Sequence, residues 1–199
     1  MRALIEAAAE PPAFTVAAVL SDQAAAPGLG VARDLGVTVQ ALPPQPDEDR
    51  AAYDRRLAAA IGEFSPSLVV LAGFMRILSA HFIAAFEGRI LNIHPALLPK
   101  YPGLHTHRRA LEARDAEHGA TVHFVTAQLD AGPPVIQARV AVSPNDDEAA
   151  LAARVQAQEH LIYPLAVHWF CEGRLRYRDG NAWLDGAVLE RPVKYPVIR

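Results

Sequence analysis

The sequence has a single cysteine, Cys171, only two lysines, and no apolar run near the ~20 residues of a membrane-spanning helix. One cysteine excludes an internal disulfide and is typical of a reducing compartment. A formal net charge of −3 gives no excess of positive charge for binding nucleic acid. The first residues carry too short an apolar stretch for a signal peptide. The composition predicts a cytoplasmic protein that binds neither nucleic acid nor membrane, and it leaves monomer and homodimer both open.

The 199 residues, 51% of them apolar, suffice for one domain with a sizeable core. Four short apolar runs, at 14–22, 37–44, 65–74 and 89–94, read as strands buried on both faces. Helical patterns separate them, such as the one in 47–64. This alternation predicts an α/β fold with a doubly wound, mostly parallel, Rossmann-like sheet.

The pattern changes in the second half of the chain. Residues 120–126 and 135–142 alternate in polarity, which predicts an antiparallel pair of strands at the far end of the sheet. Residues 146–170 form a long helical pattern, in which Pro164 is expected to introduce a kink or a weak point. A hairpin is expected around Asp179 and the glycine that follows it.

Asn92 and His94 lie where the fourth predicted strand ends, and ligands of open α/β sheets bind at such ends. Being two residues apart in an extended segment, they point to the same side. An asparagine amide can donate to a developing oxyanion, and a histidine can transfer a proton near neutral pH. An asparagine in a turn and a histidine bonded to the backbone would explain the pair equally well, and the two residues alone leave both explanations open.

Asp130 lies in a turn-rich loop, LDAGPP, between the two alternating strands. An aspartate in such a loop most often closes an Asx-turn. The functional alternative is a carboxylate that pairs with His94 and keeps its imidazole charged.

Two further groups of polar residues have competing explanations. His105 and His107 could bind a metal, but the sequence offers no further ligands at a recognised metal-site spacing. Thr106 between them is instead expected to cap a helix over 106–119. Gln156 and Glu159 share one helix face, where they could hold a polyol such as a ribose or simply face solvent.

The sequence resembles the glycinamide ribonucleotide formyltransferases, the folate-dependent formyltransferases of purine biosynthesis. The resemblance rests on NIHPALLPKYPGLHTHRRALE at 92–112, HGATVHFVTAQLDAGPPVIQA at 118–138, LAGFMRILS at 71–79, RVQAQEHLIYPL at 154–165 and AWLDG at 182–186. It covers essentially the whole chain. It implies an enzyme that transfers the formyl group of 10-formyltetrahydrofolate to the amine of 5′-phosphoribosylglycinamide, with small-molecule substrates and no metal.

The same resemblance implies roles for individual residues. It implies a catalytic trio of Asn92, His94 and Asp130, and it implies that Gln156 and Glu159 bind the ribonucleotide. The residues implied to bind the folate are Arg50, Met75, Arg76, Ile77, Leu78, Asn92, Gln128, Leu129 and Asp130.

The match lacks one segment that the family carries. Family members open with an apolar strand and a Ser-Gly-x-Gly-Ser-Asn loop that binds the substrate phosphate, whereas Met1 already aligns within the helix that follows. We therefore expect residues 1–199 to be a single formyltransferase domain that is truncated at its N-terminus relative to the family. Upstream in-frame DNA with a stop codon and no such strand and loop would contradict this expectation. Two alternatives stay open: a formyltetrahydrofolate hydrolase, and a catalytically impaired folate-binding remnant.

Overall fold

The computed structural model describes residues 1–9 and 14–196, which form six helices and ten strands. The helices are α1 (Arg2–Ala7), α2 (Pro27–Asp34), α3 (Arg50–Gly62), α4 (Ala80–Ala85), α5 (Thr106–Glu112) and α6 (Glu148–Cys171). The strands are β1 (Val19–Ser21), β2 (Val39–Ala41), β3 (Val69–Leu71), β4 (Ile90–His94), β5 (Glu117–Phe124), β6 (Pro134–Ala141), β7 (Leu175–Arg178), β8 (Asn181–Leu184), β9 (Ala187–Val188) and β10 (Val193–Lys194).

The main sheet has five strands in the order β10-β6-β5-β4-β3. β3 and β4 are parallel, β5 is antiparallel to both β4 and β6, and β10 runs parallel to β6. A parallel β1-β2 pair and an antiparallel β7-β8-β9 sheet complete the strands. The predicted α/β fold is confirmed, as is the antiparallel pair. The sequence did not predict β10, which places that pair inside the sheet and not at its edge.

The strands of the first half are shorter than the apolar runs that predicted them. β1 covers only Val19–Ser21 of the run 14–22, and its three residues pair one to one with the three residues of β2. A strand extends only as far as its partner supplies hydrogen bonds. Apolar character therefore located β1, and pairing set its length. The hairpin predicted around Asp179 forms as β7 and β8, with Arg178 paired to Asn181.

The core has two buried clusters, one between the sheet and α6 and one that joins α3, α4 and β3 and includes Leu78. Aspartate side chains cap two of the helices: Asp49 accepts from the Ala52 N–H and Asp147 from the Ala150 N–H, each at 2.7 Å. Val155 and Ile162 of α6 are fully buried in one cluster with Val122 of β5. α6 continues through Pro164 to Cys171, so the proline does not end the helix. Its ring is buried, and this packing offsets the backbone hydrogen bond that proline cannot make.

The helix predicted over 106–119 differs from the observed one at both ends. Its N-cap is His105, in the left-handed conformation with φ 58°, whereas Thr106 is the first helical residue and is buried. The helix ends at Glu112, and β5 begins at Glu117. Pairing of β5 with β4 and β6 outweighs the local helical preference of this segment. Over the described residues, no helix is both long and apolar enough to cross a bilayer.

Candidate active site

β4 presents Asn92 and His94 on the same face of the sheet. In the antiparallel pairing with β5, Asn92 lies opposite His123 and His94 lies opposite Thr121. Residues directly opposite each other in an antiparallel pair point to the same side. The spacing of two residues therefore places Asn92 and His94 together, as predicted. The pairing with β5 adds the side chains of His123 and Thr121 to their surroundings.

Both ring nitrogens of His94 face acceptors. Nε2 donates to the Tyr101 carbonyl oxygen at 2.8 Å, so this nitrogen carries a proton. Nδ1 lies 3.5 Å from Oδ2 of Asp130, and the two side chains are 6% and 8% exposed. A neutral ring would direct the Nδ1 lone pair at a carboxylate, whereas a doubly protonated ring directs an N–H at it. A doubly protonated ring would therefore have an acceptor at each of its two nitrogens.

Asp130 reaches His94 through contacts that are distant in sequence. Its Oδ2 accepts from the Gly103 N–H at 2.8 Å, a partner 27 residues away, so this contact is not that of a local Asx-turn. Its backbone has φ 50°, in the left-handed region that aspartate tolerates better than most residues. At Gly132 a Cβ would lie 1.9 Å from the Phe124 carbonyl oxygen, so only glycine allows the loop to fold this closely against β5.

His123 belongs to the site although the sequence did not single it out for this role. Its Nδ1 donates to the Phe124 carbonyl oxygen at 2.9 Å, which leaves Nε2 of the neutral ring as an acceptor for Nδ2 of Asn92 at 3.2 Å. Burial lowers the pKa of His123 and so favours this neutral form. The Asn92 amide is thereby oriented, and within residues 1–9 and 14–196 its second N–H has no hydrogen-bond partner. The sequence alone could not identify this role. It depends on the register of β5 against β4, which is known only once the two strands are paired.

The predicted folate residues lie mainly on two loops. Met75 and Ile77, after β3, are 77% and 56% exposed, and Leu129 beside Asp130 is 54% exposed. Exposed apolar side chains of this size suit contact with the flat ring of a ligand. The remaining predicted residues have less uniform surroundings: Leu78 is buried in the core, Arg76 stacks on the Tyr53 ring at 4.4 Å, and Arg50 and Gln128 are exposed.

Gln156 and Glu159 line a cavity of about 270 Å³ together with Gly73, after β3, and Ile93, the residue between Asn92 and His94. Burial raises the pKa of the Glu159 carboxyl. One turn further along α6, the Tyr163 hydroxyl lies 2.7 Å from the Leu71 carbonyl oxygen and 2.9 Å from that of Leu91. This contact fixes the helix against the two strands that end at the site.

A larger depression of about 490 Å³ lies elsewhere, and its lining includes Arg89 and Arg176 but none of the predicted site residues. Both of these guanidinium groups donate to backbone carbonyls, of Pro66 and Ala85 for Arg89 and of Phe170 for Arg176. We therefore place the candidate site at Asn92, His94 and Asp130.

The two histidines considered as metal ligands have different surroundings. His105 occupies the N-cap position of α5 without a side-chain capping bond, and Nδ1 of His107 lies 3.1 Å from Nε2 of the buried His118. Among the described residues, no three metal-binding side chains converge. Burial and the nearby His107 lower the pKa of His118 to about 4, although Asp115 opposes the shift. The pair packs beneath the segment that carries Tyr101, whose hydroxyl donates to Asp115 at 2.8 Å.

We expect the protein to lose stability as the pH falls from about 6.5 to about 4, because unfolded histidine takes up a proton near pH 6.5 while folded His118 resists it down to about 4. The unfolded state then binds more protons, and acid favours it. Urea unfolding midpoints measured from pH 7.5 to 4.5 test this. His118→Gln should flatten the decline, whereas His160→Gln, at an exposed position, should follow the parent protein. A parent midpoint that does not change with pH would contradict the expectation.

Similarity to known proteins also indicates a formyl transferase. Residues 1–167 match the formyl transferase family. The phosphoribosylglycinamide formyltransferase of Escherichia coli K12 is 55% identical over 175 residues, which are 88% of this chain and 82% of that protein. The solved phosphoribosylglycinamide formyltransferase of Coxiella burnetii superposes with a TM-score of 0.93 at 42% identity, over 98% of this chain and 92% of that one. A formyltetrahydrofolate deformylase of Pseudomonas syringae pv. tomato is 25% identical with a TM-score of 0.76, over 85% of this chain and 56% of that one.

Proposed function

Because the chain belongs to the formyl transferase family, we propose that it transfers the formyl group of 10-formyltetrahydrofolate to the amine of 5′-phosphoribosylglycinamide, a step of purine biosynthesis. The names of its 55% and 47% identical relatives support this pair of substrates over the deformylase alternative. The observation that carries the chemistry is the convergence of Asn92, His94 and Asp130, with Nδ1 of His94 3.5 Å from Asp130.

In the proposed reaction the substrate amine attacks the formyl carbon, and negative charge develops on the formyl oxygen. Asn92 has one amide N–H left after its bond to His123, and it donates that hydrogen to the oxyanion. The separation of 3.5 Å between Nδ1 of His94 and Asp130 is long for a hydrogen bond. Asp130 is therefore assigned as a charge partner that keeps the ring cationic, and the Nδ1–H, which is not held in a short hydrogen bond, is assigned as a second donor to the oxyanion.

A proton must also move from the attacking amine to the departing folate nitrogen. The Asp130 carboxylate lies beside the ring, and 8% of its side chain is exposed. We assign it, through water, to the relay of that proton. The step then balances: one C–N bond forms, one breaks, and the proton leaves one nitrogen and arrives at the other. The chemistry uses these side chains and requires no metal.

The same proposal assigns other residues to the binding of the two substrates. The exposed side chains of Met75, Ile77 and Leu129 contact the folate ring system, with Leu78 supporting the loop from the core. Gln156 and Glu159, in the cavity beside Ile93, hold the ribonucleotide. The proposal includes a cytoplasmic location, which the single cysteine supports.

Incubation of the purified chain with both substrates, followed by mass spectrometry, tests the function. We expect formylated ribonucleotide and deformylated folate in equal amounts. Formate release that does not depend on the ribonucleotide would instead support the hydrolase. Absence of both products, with folate binding retained, would support a binding protein and overturn the proposal. The Asp185→Asn variant, changed in the distant β8–β9 turn, serves as a preparation control.

A further inference from the structure

One face of β5 carries a row of residues that all contact the site or the segment that follows it. Gly119, Thr121 and His123 are spaced by two and share this face, while Ala120, Val122 and Phe124 on the other face belong to the core. His123 bonds Asn92, as described above. The other two contact residues 96–98, which directly follow His94.

The Thr121 hydroxyl makes three hydrogen bonds in a fully buried position. It donates to the Ala96 carbonyl oxygen at 2.6 Å and accepts from the Leu98 N–H at 3.1 Å. It also accepts from Nε2 of Gln137, its partner across the strands in β6, at 3.0 Å. A single side-chain oxygen thus fixes two backbone groups of the segment after His94.

Gln137 completes the arrangement. It is 6% exposed, and its Nε2 donates to the Leu98 carbonyl oxygen at 2.8 Å as well as to Thr121, so both amide hydrogens have partners. At Gly119, a Cβ would lie 2.0 Å from the Ala138 carbonyl oxygen of β6 and 2.9 Å from Cδ2 of Leu97, so the absence of a side chain makes room for both the β6 backbone and that leucine. The backbone of 96–98 is therefore held from three adjacent positions of β5 and β6.

We propose that Thr121 and Gln137 are positioning residues for the proposed formyl transfer. They hold residues 96–98 so that Tyr101, three residues further on, presents its carbonyl oxygen to Nε2 of His94 at 2.8 Å. That bond fixes which way the His94 ring faces and therefore where its Nδ1 lies relative to Asp130. A displacement of about 1 Å in such a group can reduce turnover by about 100-fold.

A purely architectural role would have a different pattern of contacts. The hydroxyl of Thr121 and the amide nitrogen of Gln137 bond only each other and the backbone of residues 96 and 98, and both lie on the face of the sheet that carries Asn92 and His94. The core on the opposite face does not use these polar atoms. The inference rests on the proposed function, because one of its tests measures kcat. The geometry of the His94 ring, however, can be measured without turnover.

The test compares Thr121→Val and Gln137→Met with Thr121→Ser and with Val140→Ala. The first two remove the polar atoms at similar volume, Thr121→Ser keeps the hydroxyl, and Val140→Ala creates a cavity in β6 away from residues 96–98. The kcat, the KM for folate, the urea midpoint, and the ¹⁵N–¹H ring spectrum of His94 are measured for each.

We expect Thr121→Val to lower kcat about 10- to 100-fold with little change in KM, and to shift or broaden the Nε2–H signal of His94. Gln137→Met should act in the same direction, Thr121→Ser should stay within a few-fold of the parent, and Val140→Ala should lower only the urea midpoint. Loss of stability in Thr121→Val with an unchanged kcat and an unchanged His94 spectrum would overturn the inference. If the parent protein transfers no formyl group, the proposed function fails, and the His94 spectrum alone decides the positioning role.

Discussion

Replacing Asp130 with asparagine should lower kcat by about 100- to 10,000-fold. The substitution keeps an oxygen that can accept from the Gly103 N–H, so the loop retains its 2.8 Å contact. It removes the negative charge that lies 3.5 Å from Nδ1 of His94. The doubly protonated ring is then no longer stabilised by an opposite charge. Steady-state turnover with both substrates measures the effect.

The matched control is Asp185→Asn, which removes a carboxylate of the same kind that pairs with Arg174 at 2.7 Å on the surface. Surface ion pairs contribute about 0–1 kcal/mol to stability, so this variant should retain the turnover of the parent. An Asp130→Asn enzyme that turns over as fast as the control, with its unfolding midpoint intact, would remove Asp130 from the mechanism.

Replacing Asn92 with alanine should lower kcat by about 100- to 1000-fold, the usual effect of removing one oxyanion donor. The affinity for folate should change little, because the amide N–H is assigned to the charge that develops during the reaction and not to the bound ground state. Turnover measurements combined with titration of a folate that cannot transfer its formyl group separate the two quantities.

The control for Asn92 is Asn181→Ala, in an exposed hairpin where Nδ2 donates to the Asp179 carbonyl oxygen at 2.9 Å. It should leave both turnover and folate affinity unchanged. If Asn92→Ala weakens folate binding in proportion to the loss of turnover, Asn92 is a binding residue and not an oxyanion donor.

Local patterns in the sequence were sufficient for part of the site. The spacing of two between Asn92 and His94 in a buried strand placed both on one face, because side chains alternate along a strand. The link between Asp130 and His94 could not follow from such a pattern. It depends on a left-handed backbone at Asp130 and on a contact with Gly103 that lies 27 residues away. The residues alone left the pairing of Asp130 with His94 as one of two alternatives, and the resemblance to a known family favoured it.

The C-terminal end of the helix predicted over 106–119 and the role of His123 could not be predicted, for the same physical reason. The segment 113–119 has helical composition, but the helix ends at Glu112 and residues 117–119 belong to β5, which pairs with β4 and β6. His123 was not predicted to belong to the site, because its role depends on the residue opposite it, Asn92. Long-range pairing thus determined both positions, and neither the composition nor the spacing of a single segment records it.

The most direct test of the central claim is a double-mutant cycle on kcat between His94→Ala and Asp130→Asn. Once the ring is gone, the carboxylate can no longer act by keeping it charged and retains only the proton relay, so the double variant should lose much less turnover than the product of the two single losses. Losses that multiply would mean that the two side chains act independently, and the proposed imidazolium–carboxylate pair would be contradicted.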